Sequence, residues 1–353
     1  MGSGAVGTAW GVGPSERLGF YVLWFTLYSL SHHDFPRGRE TDMNGKQQKR
    51  IGLLIGREWD WPSAFIEAVN ASEKGVVAEL IKLGSTSLEE PCDYDLIIDR
   101  MSHEIPYYRA YLQYAAVGGV DIISNPFLWQ LDNRFLGHVI VNKFGFRTPR
   151  TVALPNKDVE REVVADTFRN LKYPLEWQEI IDYVGVPAIM KDIRTGGRRI
   201  VYRVNSVDEL IQRYDESGTR TVIVQEVIES NTHIHCFVVG QEKVLVLNYS
   251  LDDGRYLPTP TVSHPLHDYF VQAALTLTRT SAYDINMVEF VVRNEQPYVI
   301  NSNNPSPVMD RTLMMPDQFQ WCVDEIVDLA IKRAKRPLRP RHLFHFEKDN
   351  AEN

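Results

Sequence analysis

Cysteine is scarce in this 353-residue chain, and its three thiols, Cys92, Cys236 and Cys322, lie far apart. They form neither a disulfide framework nor a close metal pair, which makes a reducing, cytoplasmic setting the expectation. Long apolar runs are missing too. The longest, LGFYVLWFTLYSL (18–30), has thirteen residues, against about 20 for a spanning helix, so no membrane span is expected. Arg17 precedes this run as in a secretory signal, but SHHDFPRGRE follows it in place of a small-residue cleavage pattern. Positive charge is not in excess. The 38 basic and 46 acidic residues leave a formal charge of −8, which argues against a nucleic-acid partner. Neither repeats nor low-complexity blocks occur.

What is present is ordinary globular composition, 44% hydrophobic and 24% charged, which excludes bulk disorder and coiled coil. The length suggests about two or three packed units. Residues 1–42, glycine-rich at their start, read as a non-core extension, and Met43 stands before a fresh beginning, NGKQQKRIGLLIG. The rival reading of this stretch is an interfacial anchor.

From Arg50 onward strand and helix alternate. IGLLIG (51–56) is a short apolar run closed by glycine, as suits a buried parallel strand. Pro62 opens a helical PSAFIEAVNASEKG. VVAELIKLG, YDLIID (94–99) and DIISN (121–125) read as further strands, with PYYRAYLQYAAVGG as a helix between the last two. A β-α-β series of about 80 residues is the signature of a small doubly wound sheet, assigned here to residues 43–127. The sequence after Ile55 is GREWDW, so this sheet lacks the G-x-G-x-x-G phosphate cradle.

FLWQLDNRFLGHVIVNKFG predicts a helix into Gly145, RTPRTVALP an extended piece, and residues 156–185 further helix. PAIMKDIRTGGRRIVYRV predicts two strands joined by a glycine turn, and SVDELIQRYDES a helix with a Ser206–Glu209 capping box. TVIVQEVIES, HIHCFVVG and KVLVLNYS read as three strands and PLHDYFVQAALTLTRTSAY as a helix. NMVEFVV and PYVINSN form a hairpin around RNEQ, and FQWCVDEIVDLAIKRAKR is a last amphipathic helix. Unit boundaries are placed at 128–228 and 229–340, with 341–353 a loose tail.

Three features carry chemistry. Lys191 ends a strand and is followed by Thr195-Gly196-Gly197. A lysine so placed can set an ammonium on phosphates while bare backbone N–H groups close over them; a hairpin turn with a solvated lysine is the plainer account. VIVQEVIES can present backbone groups to an adenine edge and a carboxylate, Glu229, to ribose; an ordinary strand ending in charge looks the same. In NMVEFVVRNEQPYVINSNNPSP, antiparallel pairing can set Glu289 opposite Asn301, Asn303 and Asn304. A carboxylate with amide oxygens, waters and phosphate oxygens suits Mg²⁺.

In this order, after a β-α-β unit, these features resemble the ATP-grasp superfamily. The style is that of ribosomal-protein glutamate ligases, glutathione synthetases and D-alanine–D-alanine ligases, and the resemblance spans about residues 50–335. It implies an α/β (α+β) fold, a small doubly wound N-terminal sheet followed by a two-subdomain ATP-grasp fold. DNRFLGHVIVNKFGFRTPRT resembles the segment that supplies a cation for the α-phosphate, which places Arg134 in that role. Lys191 matches the second nucleotide lysine, Gln225, Glu226, Val227 and Ile228 the adenine hinge, and Glu289 the first metal-binding acid. Thr195, Gly196 and Gly197 match a lid over ATP.

The chain departs from the pattern in two places. His233-Ile234-His235 stands where many relatives read Asp-x-Arg, so Glu229, with His233 beside it, takes the ribose role. The metal motif Glu-x-Asn-x-x-Pro here has Asn301 at the Glu position and Pro305 one residue early, leaving Asn303 or Asn304 as the usual asparagine. His233 and His235 share one strand face and His264 and His267 follow later; hydrogen-bonded histidines are preferred over a zinc site.

The resemblance implies an ATP- and Mg²⁺-dependent ligase joining a carboxylate to an amine of an amino acid or peptide through an acylphosphate. Arg255, in the LDDGRY turn, is the candidate for the substrate carboxylate or acylphosphate; an exposed turn arginine is the plain alternative. Trp59, Trp61, Tyr107 and Tyr108 are candidates for the acceptor pocket. The alternative functions are a non-catalytic ATP-binding protein of this fold and, third, a kinase-like activity on a small carboxylate or sugar. Homo-oligomerisation is a further implication of the resemblance.

Overall fold

The computed structural model describes residues 48–128, 133–159, 170–194, 201–258 and 265–336. The first sheet is parallel, with strands β1 (Lys49–Leu54), β2 (Val76–Leu80), β3 (Leu96–Asp99) and β4 (Asp121–Ile123) in the order β2-β1-β3-β4. Helices α1 (Asp60–Ala71) and α2 (Pro106–Val117) cover its two faces. Alternation along β3 makes this visible: Leu96 and Ile98 pack with Trp61, Phe65 and Val69 of α1, while Ile97 packs with Leu112, Ala115 and Ala116 of α2. Each large side chain fully buried here contributes roughly 2 kcal/mol.

The second sheet is antiparallel, with β5 (Thr151–Leu154), β6 (Ala188–Asp192), β7 (Val201–Val204) and β8 (Val222–Glu226) in the order β5-β8-β6-β7. Its inner face, with Leu154, Ala188, Met190, Val204, Val222 and Val224, packs on α4 (Trp177–Val184) and α5 (Val207–Asp215). The opposite face carries Thr151, Lys191 and Gln225. Ser206 caps α5 by accepting from the Glu209 N–H at 3.1 Å, half of the expected capping box; the Glu209 carboxylate takes the N–H of Asn205 at 2.8 Å rather than that of Ser206.

The third sheet is antiparallel, with β9 (His233–Val239) at its centre and order β11-β10-β9-β12-β13. Its other strands are β10 (Lys243–Ser250), β11 (Arg255–Tyr256), β12 (Ile285–Arg293) and β13 (Gln296–Asn301). Ile234, Cys236, Val288 and Phe290 pack on one side against α6 (His267–Thr280). Phe237, Val239, Ile285 and Met287 face the other way, into a core shared with α7 (Pro316–Ala334), α1 and the first sheet. Buried Arg333 of α7 strengthens that join, pairing with Asp121 of β4 and with Asp284 Oδ1 at 2.6 Å.

Two expectations about elements change. The helix foreseen from Phe127 begins, among the described residues, at Arg134 as α3 (Arg134–Lys143), because Asn133 caps it by accepting from the Leu136 N–H. Within 156–185, only α4 is helical among the described residues. Two-residue β11 had no sequence signal of its own. The β12–β13 hairpin turns at Asn294 and Glu295, both with positive φ (51° and 59°), the backbone that a two-residue turn needs to match strand twist.

Candidate functional site

The first wall of the site comes from β6, β8 and α3. The Arg134 N–H donates to the Ile193 carbonyl at 2.8 Å, and its Nη1 lies 3.3 Å from the Asp192 carbonyl, which anchors the first turn of α3 to the end of β6. Lys191 Nζ donates to Gln225 Oε1 at 2.8 Å. Burial pushes the Lys191 ammonium down to about 8; the Arg134 guanidinium pushes the same way, and Glu289 opposes. Gln225 is buried, and its Nε2 reaches Thr151 Oγ1 at 3.0 Å and His138 Nε2 at 2.7 Å. Burial, then the charges of Lys191 and Arg134, hold the His138 ring down at about 3, so it is neutral.

The second wall is the β12–β13 hairpin. Its register runs from Arg293↔Gln296 to Phe290↔Val299 and then slips, so that Glu289 pairs with Asn301. Without that bulge Glu289 would face Ile300, and Asn301 would sit on the opposite side of the sheet. Asn301 Nδ2 donates to Glu289 Oε1 at 2.9 Å, and Asn301 Oδ1 lies 3.4 Å from the Asn303 N–H.

The two asparagines that register alone left equivalent have different surroundings. Asn303 is buried, its Oδ1 accepting from Ser302 Oγ at 3.0 Å. A Cβ on Gly137 of α3 would meet Ser302 Oγ at 2.7 Å and Asn303 Nδ2 at 3.4 Å, so only glycine lets this helix approach so closely. Asn304 instead lines a cleft, with its backbone held by Asn286 and Met287.

That cleft, of about 340 Å³, is lined by Arg134, Glu289, Asn301 and Asn304 on one side. Its other side is built by the loops after β1 and β3, with Arg57, Glu58, Arg100, Met101, His103 and Glu104. Arg100 is the fastening: Nε donates to Glu58 Oε2 at 2.5 Å, Nη2 to Glu58 Oε1 and to the Pro307 carbonyl at 2.6 Å, and the guanidinium stacks 5.1 Å from the Trp61 ring. Its Nη1 is buried without a hydrogen-bond partner among the described residues. The Ser306 hydroxyl donates back to the Arg100 carbonyl at 3.0 Å. The segment that follows Asn304 is thereby tied to the C-terminal ends of the parallel strands, the end where open parallel sheets place ligands.

The remaining sequence candidates fall elsewhere or outside the described residues. Glu226 is engaged by Arg150 at 3.2 Å and Arg293 at 3.4 Å. Burial raises its carboxyl, but hydrogen bonds from Arg150 and the charges of both arginines outweigh that and hold it below its ordinary range. Val227 and Ile228 are half-buried in the connection from β8 to β9, and exposed Glu229 pairs with Arg203 at 3.6 Å. His233 Nε2 lies 3.1 Å from the Ser230 carbonyl oxygen. His235, on the same strand face, is buried, stacks on Tyr249 at 4.7 Å and meets the Tyr256 hydroxyl at 3.1 Å. Arg255 is exposed on edge strand β11 and is not among the residues lining the cleft, which leaves its substrate role without structural support. Trp61 is core, and Trp59, Tyr107 and Tyr108 do not line the cleft. Thr195, Gly196, Gly197 and His264 lie outside the described residues.

Sequence reasoning missed Arg57, Glu58, Arg100, His103 and Glu104. The signal for them was their position directly after parallel strands. No cluster of three or more His, Cys, Asp or Glu side chains suited to a metal occurs among the described residues. No helix among them is long and apolar enough to cross a membrane.

No protein-family model matches the sequence, and no curated protein matches it. Solved structures do resemble it. D-alanine–D-alanine ligase from Bacillus anthracis complexed with ATP is similar with a TM-score of 0.56 and 17% identity, over 81% of this chain and 96% of that one. A RimK domain ATP-grasp protein from Sphaerobacter thermophilus is similar with a TM-score of 0.57 and 18% identity, over 80% and 99%. VanG D-Ala:D-Ser ligase from Enterococcus faecalis is similar with a TM-score of 0.58 and 14% identity, over 82% and 100%. With parallel and antiparallel sheets in one α/β chain and likenesses spanning nearly the whole length of these proteins, the chain has the fold of the ATP-grasp superfamily.

Proposed function

We propose that this protein is an ATP- and Mg²⁺-dependent ligase that joins a carboxylate to an amine through an acylphosphate. The observation that carries the reading is convergence. Arg134, Glu289, Asn301 and Asn304 line one cleft with the loops of the parallel sheet, and Lys191 is close enough for its protonation to respond to Arg134 and Glu289. Lys191 and Arg134 would neutralise the phosphates, and Val227 and Ile228 would meet the adenine in the β8–β9 connection. The acceptor acid would enter against Arg57 and His103. The division of labour follows the sequence boundaries: residues 43–127 on the acceptor side, 128–228 over the nucleotide, 229–340 with the hairpin.

The substrate carboxylate oxygen attacks the γ-phosphorus and ADP leaves. The amine then attacks the acyl carbon and inorganic phosphate leaves. Such a reaction asks for positioning and charge neutralisation more than for covalent help from side chains. The donor set fits Mg²⁺ in part: Glu289 and Asn304 would hold it, and it would supply further charge neutralisation on the phosphates. Asn301 gives its amide N–H to Glu289, so the protein brings one carboxylate where the family pattern brings two.

That substitution supports a second reading, an ATP-binding protein without turnover. ADP release measured with a panel of amino acids and peptides separates the two. Release that depends on both an acid and an amine is the expected result; tight ATP binding with no release for any acceptor would favour the second reading.

A further inference from the structure

A run of partly buried hydrogen bonds beside Lys191 has one consistent set of donors and acceptors. Lys191 Nζ can only donate, so the Gln225 atom 2.8 Å away is its oxygen. That turns Gln225 Nε2 toward Thr151 Oγ1 at 3.0 Å and His138 Nε2 at 2.7 Å. The Thr151 hydroxyl already donates to the Pro149 carbonyl at 2.9 Å, so it accepts from the amide and supports the same orientation. His138 Nε2 must therefore accept, and the ring proton sits on Nδ1, which donates to Thr148 Oγ1. The Thr148 hydroxyl donates in turn to the Val299 carbonyl at 3.2 Å. The run passes from β6 through β8 and α3 to β13, the strand that ends at Asn301.

The opposite polarity is excluded by the lysine. A ring protonated at Nε2 would call for the Gln225 oxygen, and the amide would then present its NH₂ to the ammonium, donor against donor. A carboxylate in place of Gln225 would also hold the ammonium, but would cancel its charge. The amide oxygen takes one of the three N–H bonds and leaves the charge intact.

We propose that His138 and Gln225 are positioning residues for Lys191: the neutral ring, protonated at Nδ1, locks the Gln225 oxygen onto the ammonium, which aims the cation without neutralising it. The proposal rests on the reading of Lys191 as a phosphate cation. It adds His138, which the sequence did not single out, and gives Gln225, matched to the adenine hinge by resemblance, the task of holding Lys191. The charged groups acting on the His138 ring are Lys191 from β6 and Arg134 from α3.

The test has two independent parts. In the native protein with ¹⁵N-labelled histidine, NMR should show the His138 ring protonated at Nδ1, bare at Nε2, and not titrating from about pH 5 to 8. A ring proton on Nε2 overturns the proposal without reference to nucleotide. The second part measures ATP affinity by equilibrium dialysis, with thermal melting as the check on folding. His138→Gln keeps one donor and one acceptor and should bind ATP within about twofold of the native protein; His138→Leu keeps neither and should bind about tenfold more weakly. Equal weakening in both, or none in either, overturns the positioning role. Should Lys191→Ala leave ATP affinity unchanged, the phosphate reading falls instead, while the ring tautomer still reports on the hydrogen-bonded run.

Discussion

Two cations of this site are held in opposite ways, buried Arg100 in the cleft lining and half-buried Lys191 outside it. Arg100 has its charge matched by Glu58 through two hydrogen bonds and is further tied to the Pro307 carbonyl and the Trp61 face. Lys191 has a neutral partner, the Gln225 oxygen, and a neutral histidine behind it. The first arrangement spends the charge on architecture, joining the loops of the parallel sheet to the segment after Asn304. The second leaves the charge without an ion-pair partner; burial, with Arg134 pushing the same way and Glu289 opposing, lowers the ammonium to about 8, and it gains when an anion arrives. Burial alone does not say which cation serves a ligand; the partner does.

The contrast can be broken at either end. Arg100→Ala should cost stability most, about 3–5 kcal/mol, because it strands the Glu58 carboxylate and the Pro307 carbonyl; urea unfolding measures it, and a change under about 1 kcal/mol would show that Arg100 is not a fastening. Lys191→Ala should do the reverse, with stability nearly unchanged and ATP affinity down about a hundredfold, the worth of two charge-assisted hydrogen bonds. Equilibrium binding of ATP reads that directly.

Asn301→Glu sharpens the comparison on the hairpin. It sets a second carboxylate against Glu289 and should strengthen Mg²⁺ dependence of ATP binding about tenfold; unchanged metal dependence would count against the hairpin as the metal site. The smallest effect is on pH. Free Lys191 loses its proton as pH rises through about 8, below the ordinary 10.5, so ATP affinity should fall above that point. Binding near pH 8 should also take up a proton, as the phosphates restore the ammonium. Between these values the unfolded chain binds more protons, so this residue's contribution to stability rises with pH. Calorimetry in buffers of different ionisation enthalpy would show the uptake, and identical heats would exclude it.

Much of the fold was readable in advance because its signals are local. The apolar run Leu96–Ile98 between turns, the Ser206–Glu209 box and the pairing across Asn294-Glu295 each act within a few residues. Lys191 and Glu289 could be singled out because a cation at a strand end and an acid in a hairpin are visible in the sequence, and Arg134 only through the resemblance to the ATP-grasp segment that supplies a cation. Asn303 and Asn304 could not be told apart, since their surroundings depend on Gly137, more than 160 residues earlier in the chain. Arg255 looked as suitable as any turn arginine until edge strand β11 placed it away from the cleft lining.

Hydrophobic period, caps and turn residues thus specified most of the strands and helices and named several of the groups that carry charge. Which of those charges remains uncompensated was left to the folded chain. Glu58 reaches Arg100 across 42 residues and Gln225 reaches His138 across 87. A single extra residue beside Glu289 decides which side of the sheet Asn301 occupies. Electrostatic energy depends on distance in space and on burial, and neither can be counted along the chain.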